Sequence, residues 1–345
     1  MPHCFTKGDP VAVDDLAWAD GGGRDSLGEI YCLTFIRDVD AAEALQRMGG
    51  LPGTFATRTW SDVGGLDTFD DGYPEMAMGL PLGGWTVVFE SGGFNGISLT
   101  SALSHGTEAL SLLRHDYAHP AFAYAVDGVS ITGFDPTIPY DRYGADPDRL
   151  LSRMLEVGFA MGDDEGDEGD IFDEDGDFYE DEVFETNHDR PFGRCLRLIE
   201  QFTGGLPTFE AFNGPLTSAQ IEPWFVQARN DPAVRPRYDG PVDAVTEVRR
   251  LTSRHGLTDI PGLADALAAA ERAVPVSIAP DSPLGEHVCS WLIEDRRAHR
   301  ALNGGGGRWP RTEIERDRVN DLRLLTRALG AAIQPGPTDC PYRPR

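Results

Sequence analysis

The sequence has almost no lysine. Lys7 is the only one, so 29 of the 30 basic residues are arginine. A Walker A loop needs its lysine in a glycine-rich turn that opens a helix. A Schiff-base enzyme needs one in a desolvated pocket. Lys7 suits neither, which argues against a P-loop NTPase and against pyridoxal chemistry. Basic charge is scarce altogether: 57 acidic residues against 30 basic give a formal net charge of −27. Nucleic-acid binding requires Lys and Arg to neutralise phosphates, so no DNA or RNA reader is expected, nor attachment to an anionic membrane surface. No run approaches the ~20 apolar residues of a membrane span. Residues 1–7 show no charged segment leading into an apolar one, so no secretory signal is expected and the expected location is the cytoplasm. The five cysteines, Cys4, Cys32, Cys195, Cys289 and Cys340, are odd in number and widely spaced, without a C-x-x-C pair. Neither a disulfide framework nor a zinc knuckle follows from them. Cys32 and Cys289 read as small buried hydrophobes. There is no G-x-S-x-G elbow, no H-E-x-x-H and no G-x-G-x-x-G after a strand, and no cofactor is expected.

The acidity that is present is unevenly placed. Residues 1–162 hold 23 acids and 9 bases, residues 163–185 hold 14 acids and no base, and everything beyond is close to neutral. The run GDDEGDEGDIFDEDGDFYEDEVFETN at 162–187 repels itself and has little to bury, which predicts a mobile solvated loop.

Local signals outline the rest. Residues 28–36 read as a strand, followed by a helix from Asp40, with Glu43 at the capping-box position and Gly49-Gly50 as the stop. Residues 51–75 read as loop. Residues 76–90 read as two strands around Pro81-Leu82-Gly83-Gly84, and residues 107–114 as another. Asp127-Gly128 between two alternating runs is the signature of a type I′ hairpin. Asp146-Pro147 opens a helix that Gly158 closes. Residues 191–202 form an amphipathic helix expected to dock on the sheet. From residue 243 the pattern is helical. Its last two helices, 283–302 and one from Pro310 to Leu329 with Ile314, Val319, Leu322, Leu325 and Leu329 on one face, make an αα-hairpin. The expected fold is α+β: a mainly antiparallel sheet with flanking helices, then an all-helical C-terminal region. The expected divisions are 1–161, the acidic loop 162–187, helices and linker 188–240, and helices 241–345.

The phrases CLTFIRDVDAAEALQRMGG, GGWTVVFESGGFNG, FAYAVDGVSITGFDP, RYGADPDRLLSRMLEVGF and RCLRLIEQFTGGLP, in that order, resemble a family of uncharacterised actinobacterial proteins classed as a domain of unknown function. The resemblance spans roughly residues 12–220, with the acidic loop standing as an insertion and the C-terminal helices as an extension. It implies an architecture and assigns no catalytic residue.

Residues 171–182 place Asp173, Asp175, Gly176 and Glu182 where a calcium-binding EF-hand loop needs them, but Ile171 stands where the first carboxylate ligand belongs, and a solvated acidic loop is the stronger reading. His115 and His119, with Asp116 or His105, contain zinc-type ligands without a spacing that demands a site. Glu90, beside a glycine-rich turn, suits a general acid or base, or equally a cap for the turn backbone, which is favoured. Arg142 suits an anion clamp, or a partner for Asp135 or Asp141. The function expected is a non-enzymatic cytoplasmic module binding another protein, a basic one, in an immunity- or inhibitor-like role. The alternatives are an enzyme with a diffuse site on the sheet using Glu90, His115 and Arg142, and a calcium-binding acidic loop.

Overall fold

The computed structural model describes residues 16–21, 25–161, 186–226, 240, 242–302 and 312–334. In chain order the elements are α1 (Ala17–Asp20), β1 (Ile30–Arg37), α2 (Ala41–Arg47), β2 (Ala56–Arg58), α3 (Trp60–Gly64), β3 (Met76–Leu82), β4 (Trp85–Ser91), α4 (Asn95–Leu103), β5 (Glu108–His115), β6 (Ala121–Val126), β7 (Val129–Asp135), β8 (Ile138–Tyr143), α5 (Leu151–Glu156), α6 (Pro191–Thr203), α7 (Phe209–Asn213), β9 (Leu216–Gln220), α8 (Ala244–His255), α9 (Leu263–Glu271), α10 (Pro283–Leu302) and α11 (Glu313–Ile333). The nine strands form an antiparallel sheet in the order β2-β9-β3-β4-β1-β5-β6-β7-β8. The fold is therefore α+β, an antiparallel sheet with flanking helices followed by C-terminal helices, as the sequence predicts. Among the described residues no helix is long and apolar enough to cross a membrane. The chain divides into two compact units, residues 1–44 with 78–214, and residues 45–77 with 215–345.

In the first unit β1 lies between β4 and β5, with Cys32 opposite Glu90 and Leu113, and Phe35 opposite Val87 and Leu110. Directly opposed residues share a face, so the register sorts the sheet into two surfaces. Cys32, Thr34, Glu90 and Ser111 look toward α4. Leu33, Phe35, Phe89, Leu110, Leu112 and Phe122 look the other way and are fully buried. On that side α6 packs against β5, burying Cys195, Leu196, Leu198 and Ile199, and Phe212 of α7 reaches the Phe89 and Trp18 rings at 5.1 and 5.8 Å. The hairpin turn is type I′: Asp127 has φ 47° and Gly128 φ 80°, the left-handed geometry that Asp-Gly tolerates.

The start of α6 is capped from a distance. Arg190, at its N-cap position, is left-handed (φ 55°) and gives no side-chain cap. Asp20 of α1 accepts instead from the backbone N–H of Phe192 (2.9 Å) and of Gly193 (3.1 Å). Burial pushes the Asp20 carboxyl above its ordinary value, opposed by those two N–H groups and by Arg114. Nearby in sequence, Asn187, which composition places in the acidic loop, is fully buried. Its side-chain amide donates to Ala160 O (2.9 Å) and accepts from Ala160 N (3.0 Å). Residues 162–185 lie outside the described residues.

The second unit contains the antiparallel β2–β9 pair and the helices α8 to α11, whose core includes Val248, Leu251, Val288, Trp291, Leu322 and Leu325. Helices α10 and α11 pack together as the expected hairpin. The last helix starts later than Pro310: Thr312 and Glu315 form a capping box that opens it, and it continues to Ile333. Ile314 is 81% exposed rather than part of the apolar stripe, because it lies in the opening turn, ahead of Val319, the first position of the helix to be buried.

Asp20→Ala removes the cap of α6 and is expected to cost about 1 kcal/mol of stability. Urea denaturation followed by circular dichroism measures it, and an unchanged midpoint would contradict the capping role.

Candidate functional site

Glu90 is 1% exposed at the end of β4. Its Oε2 accepts from Asn95 N and Asn95 Nδ2, both at 3.0 Å, and its Oε1 from Gly96 N at 2.6 Å. These are the first donors of α4, where unpaired backbone N–H groups and the helix dipole favour a carboxylate. The turn fits closely over it: a Cβ on Gly96 would lie 2.1 Å from Thr34 Oγ1. Beneath the turn, Thr100 Oγ1 donates to Ser111 Oγ (2.7 Å), which donates to Thr34 Oγ1 (3.0 Å). Cys32 closes the cluster, its thiol pushed up by burial and by the charge of Glu90, which opposes thiolate chemistry. Of the two readings offered for Glu90, this geometry is that of the cap.

His115, the last residue of β5, sits between two exposed rings. Phe94, 55% exposed, and Tyr117, 74% exposed, each lie 6.4 Å from the imidazole. Tyr117 N donates to His115 Nδ1 (3.2 Å), and Tyr117 Oη donates to Glu29 Oε2 (2.6 Å). That bond and the Glu29 charge raise the phenol above its ordinary value. The zinc-type ligands near His115 diverge. Asp116 pairs with Arg114 at 2.8 Å, and His119 Nδ1 lies 3.9 Å from Asp135. Among the described residues no group of three His, Cys, Asp or Glu is placed to hold a metal ion. The calcium candidates Asp173, Asp175 and Glu182 lie outside the described residues.

Arg142, on the edge strand β8, is held by Asp148 Oδ1 at 2.7 and 3.1 Å and donates to Pro139 O at 3.0 Å. Its carboxylate partner is therefore neither Asp135 nor Asp141. Asp135 is engaged by Thr137, and the chain after β8 folds back through Ala145 and Asp146 onto β7, which brings Asp148 within reach. Strand β8 is three places from β5, about 14 Å at the usual strand spacing. Glu90 points inward as a cap, His115 outward at the sheet end, and Arg142 along a distant edge, so the three share no cavity.

Sequence reasoning missed a second constellation at the opposite end of the same sheet. Arg37, Glu108 and Tyr124 rise on one face from β1, β5 and β6, as the Phe35–Leu110–Tyr124 register requires. Arg149, Arg153 and Phe202 complete the walls of a cavity of about 420 Å³. Arg37 Nη1 donates to Glu108 Oε1 (2.5 Å), and Tyr124 Oη to Glu108 Oε2 (3.0 Å). The Arg153 guanidinium lies 4.3 Å from the centre of the Phe202 ring, which in turn packs on Tyr124 at 5.1 Å. Burial and then Glu108 push the Tyr124 phenol up to about 12, while Arg149 and Arg153 pull it down. The signal was the pair Arg149 and Arg153 four residues apart after Pro147, the first in the 3-10 turn Pro147–Leu150 and the second in α5.

Fold and sites together define an α+β sheet protein whose described polar residues are organised around helix caps, an exposed aromatic strip and an arginine-lined cavity. The chain belongs to the family of unknown function DUF6461, whose model matches residues 9–184. No curated protein and no solved structure matches the chain.

Glu90→Gln would set an amide N–H₂ against helix N–H groups and is expected to cost about 2 kcal/mol in urea denaturation; a neutral effect would contradict the capping account. Glu108→Gln removes the charge that helps raise Tyr124 while leaving one amide oxygen able to accept from its hydroxyl. The Tyr124 transition, followed by ¹³C-labelled tyrosine NMR, should move down from about 12, and a transition that stays put would leave burial as its whole cause.

Proposed function

We propose that the protein is a non-catalytic module that binds another protein, a basic one, in the cytoplasm. The observation that supports this most is the strip Phe94, His115, Tyr117 at one end of the first unit's sheet. Two widely exposed aromatic rings flank an imidazole, with Glu29 bonded to Tyr117. Contiguous apolar surface on a soluble protein often marks an interaction site, and aromatic side chains are frequent anchors of interfaces. The charge of the partner follows from the surroundings. Residues 1–162 hold 23 acids and 9 bases, a balance that steers a basic surface toward the protein. Arginine or lysine on that surface would also find favourable aromatic faces. An immunity- or inhibitor-like role, masking a basic toxin or enzyme, is the form of this reading that uses both the charge and the strip.

The test is affinity capture on the immobilised full chain, beside the double variant Phe94→Ala, Tyr117→Ala. The expected result is a basic protein held at low salt, released as salt rises, and bound at least about tenfold more weakly by the variant, as for loss of interface anchors. Capture of nothing at low salt, or equal capture by the variant, would count against the reading.

A further inference from the structure

We propose that the cavity at the other end of the sheet binds a small organic phosphate, with its dianionic phosphate held between Arg149 and Arg153. The argument begins with scarcity. Residues 1–162 contain only nine basic residues, and three of them, Arg37, Arg149 and Arg153, line this one cavity. Arg37 is neutralised in place by Glu108 at 2.5 Å and Asp38 at 3.4 Å. Arg149 and Arg153 make no ion pair among the described residues. Arg153 is instead held over the Phe202 ring, which fixes a guanidinium without using its N–H donors. The neighbouring carboxylate, Glu156, is engaged by Gln201 Nε2 at 3.4 Å. Two uncompensated guanidiniums facing one space match the charge of a phosphate monoester near neutral pH, and their forked donors match its oxygens. The volume of about 420 Å³ falls within the range of small-molecule sites and exceeds what a bare phosphate fills. The Tyr124–Phe202 pair gives the organic portion an aromatic wall. The cavity lies about 24 Å from the aromatic strip along β5, seven residue steps at ~3.4 Å each, so the inference is independent of the proposed protein-binding reading.

The experiment is calorimetric titration of the full chain with phenyl phosphate at fixed ionic strength, with succinate as the dicarboxylate comparison. Variants Arg149→Gln and Arg153→Gln are titrated in parallel. Saturable binding of phenyl phosphate is expected, stronger than that of succinate and weakened about tenfold by each variant, as for loss of one charge-assisted contact. Arg149 is exposed and makes no ion pair among the described residues, so its variant should keep the wild-type melting temperature; if Arg153→Gln unfolds the protein by losing the Phe202 stack, Arg149→Gln alone decides. Absence of binding at about 10 mM phenyl phosphate, a level weaker than ordinary metabolite affinities, would overturn the proposal. Unchanged affinity in Arg149→Gln, or tighter binding of succinate, would overturn it as well.

Discussion

The first unit depends on one buried carboxylate. Glu90 stands one residue before the end of the strand beside the central β1 and caps the helix that covers that face of the sheet, so a single side chain joins the two layers. Its three accepted hydrogen bonds satisfy donors that no residue inside α4 can reach. Without an acceptor there, buried N–H groups would each be left at a cost of ~1–3 kcal/mol. The close fit of Gly96 over Thr34 is the steric side of the same constraint. Phe94 immediately precedes the capped residues, so the carboxylate that closes the turn also fixes where an exposed ring stands beside His115. The aromatic strip is thus a consequence of a packing solution in the interior.

The two faces of the sheet use the same device. Glu90 caps α4 on one side, and Asp20 caps α6 on the other. In both cases the acceptor comes from a different element than the helix, so each helix is stable only where the tertiary structure puts it. That makes docking and helix formation one cooperative event, in keeping with the rule that packing rather than propensity stabilises most short helices. With the faces covered, the chemistry that remains accessible is pushed to the two ends of the strands. One end carries aromatics and carboxylates, the other arginines.

This arrangement explains what was legible in the sequence. Signals confined to a few adjacent residues survived. Asp127-Gly128 marked its hairpin, and Asp40 accepts from Glu43 N at 2.8 Å as a capping residue should. Signals carried by a distant partner did not. Helix α4, with the sequence NGISLTSAL, has no charge and a stretch of Ser and Thr that favours caps and turns, and its cap arrives from β4. Asp148 was passed over as the partner of Arg142 because the fold-back after β8 depends on backbone bonds to β7. The strand β9 and the association of residues 45–77 with the C-terminal helices leave no local mark, since both depend on pairing across more than 130 residues. For the sites, the chemistry of Glu90 was readable as an alternative between two roles, and only the direction of its oxygens separated them. The arginine cavity needed three strands, one helical turn and a helix end brought together.

A net charge of −27 therefore describes neither end of the sheet by itself. A protein partner spreads over hundreds of square ångströms and averages the field of the surface it covers, so the excess of acids in the first half of the chain decides its sign. A small anion in a cavity responds mainly to the groups it touches. At physiological salt the field of exposed charges fades over about 8 Å, while Arg149 and Arg153 act at contact distance. Their lack of ion-pair partners among the described residues matters more for such a ligand than the carboxylates on the rest of the described surface. Under the two proposals the same chain favours a cationic macromolecule at one end of its sheet and an anionic small molecule at the other, because the two ligands sample its charge over different lengths.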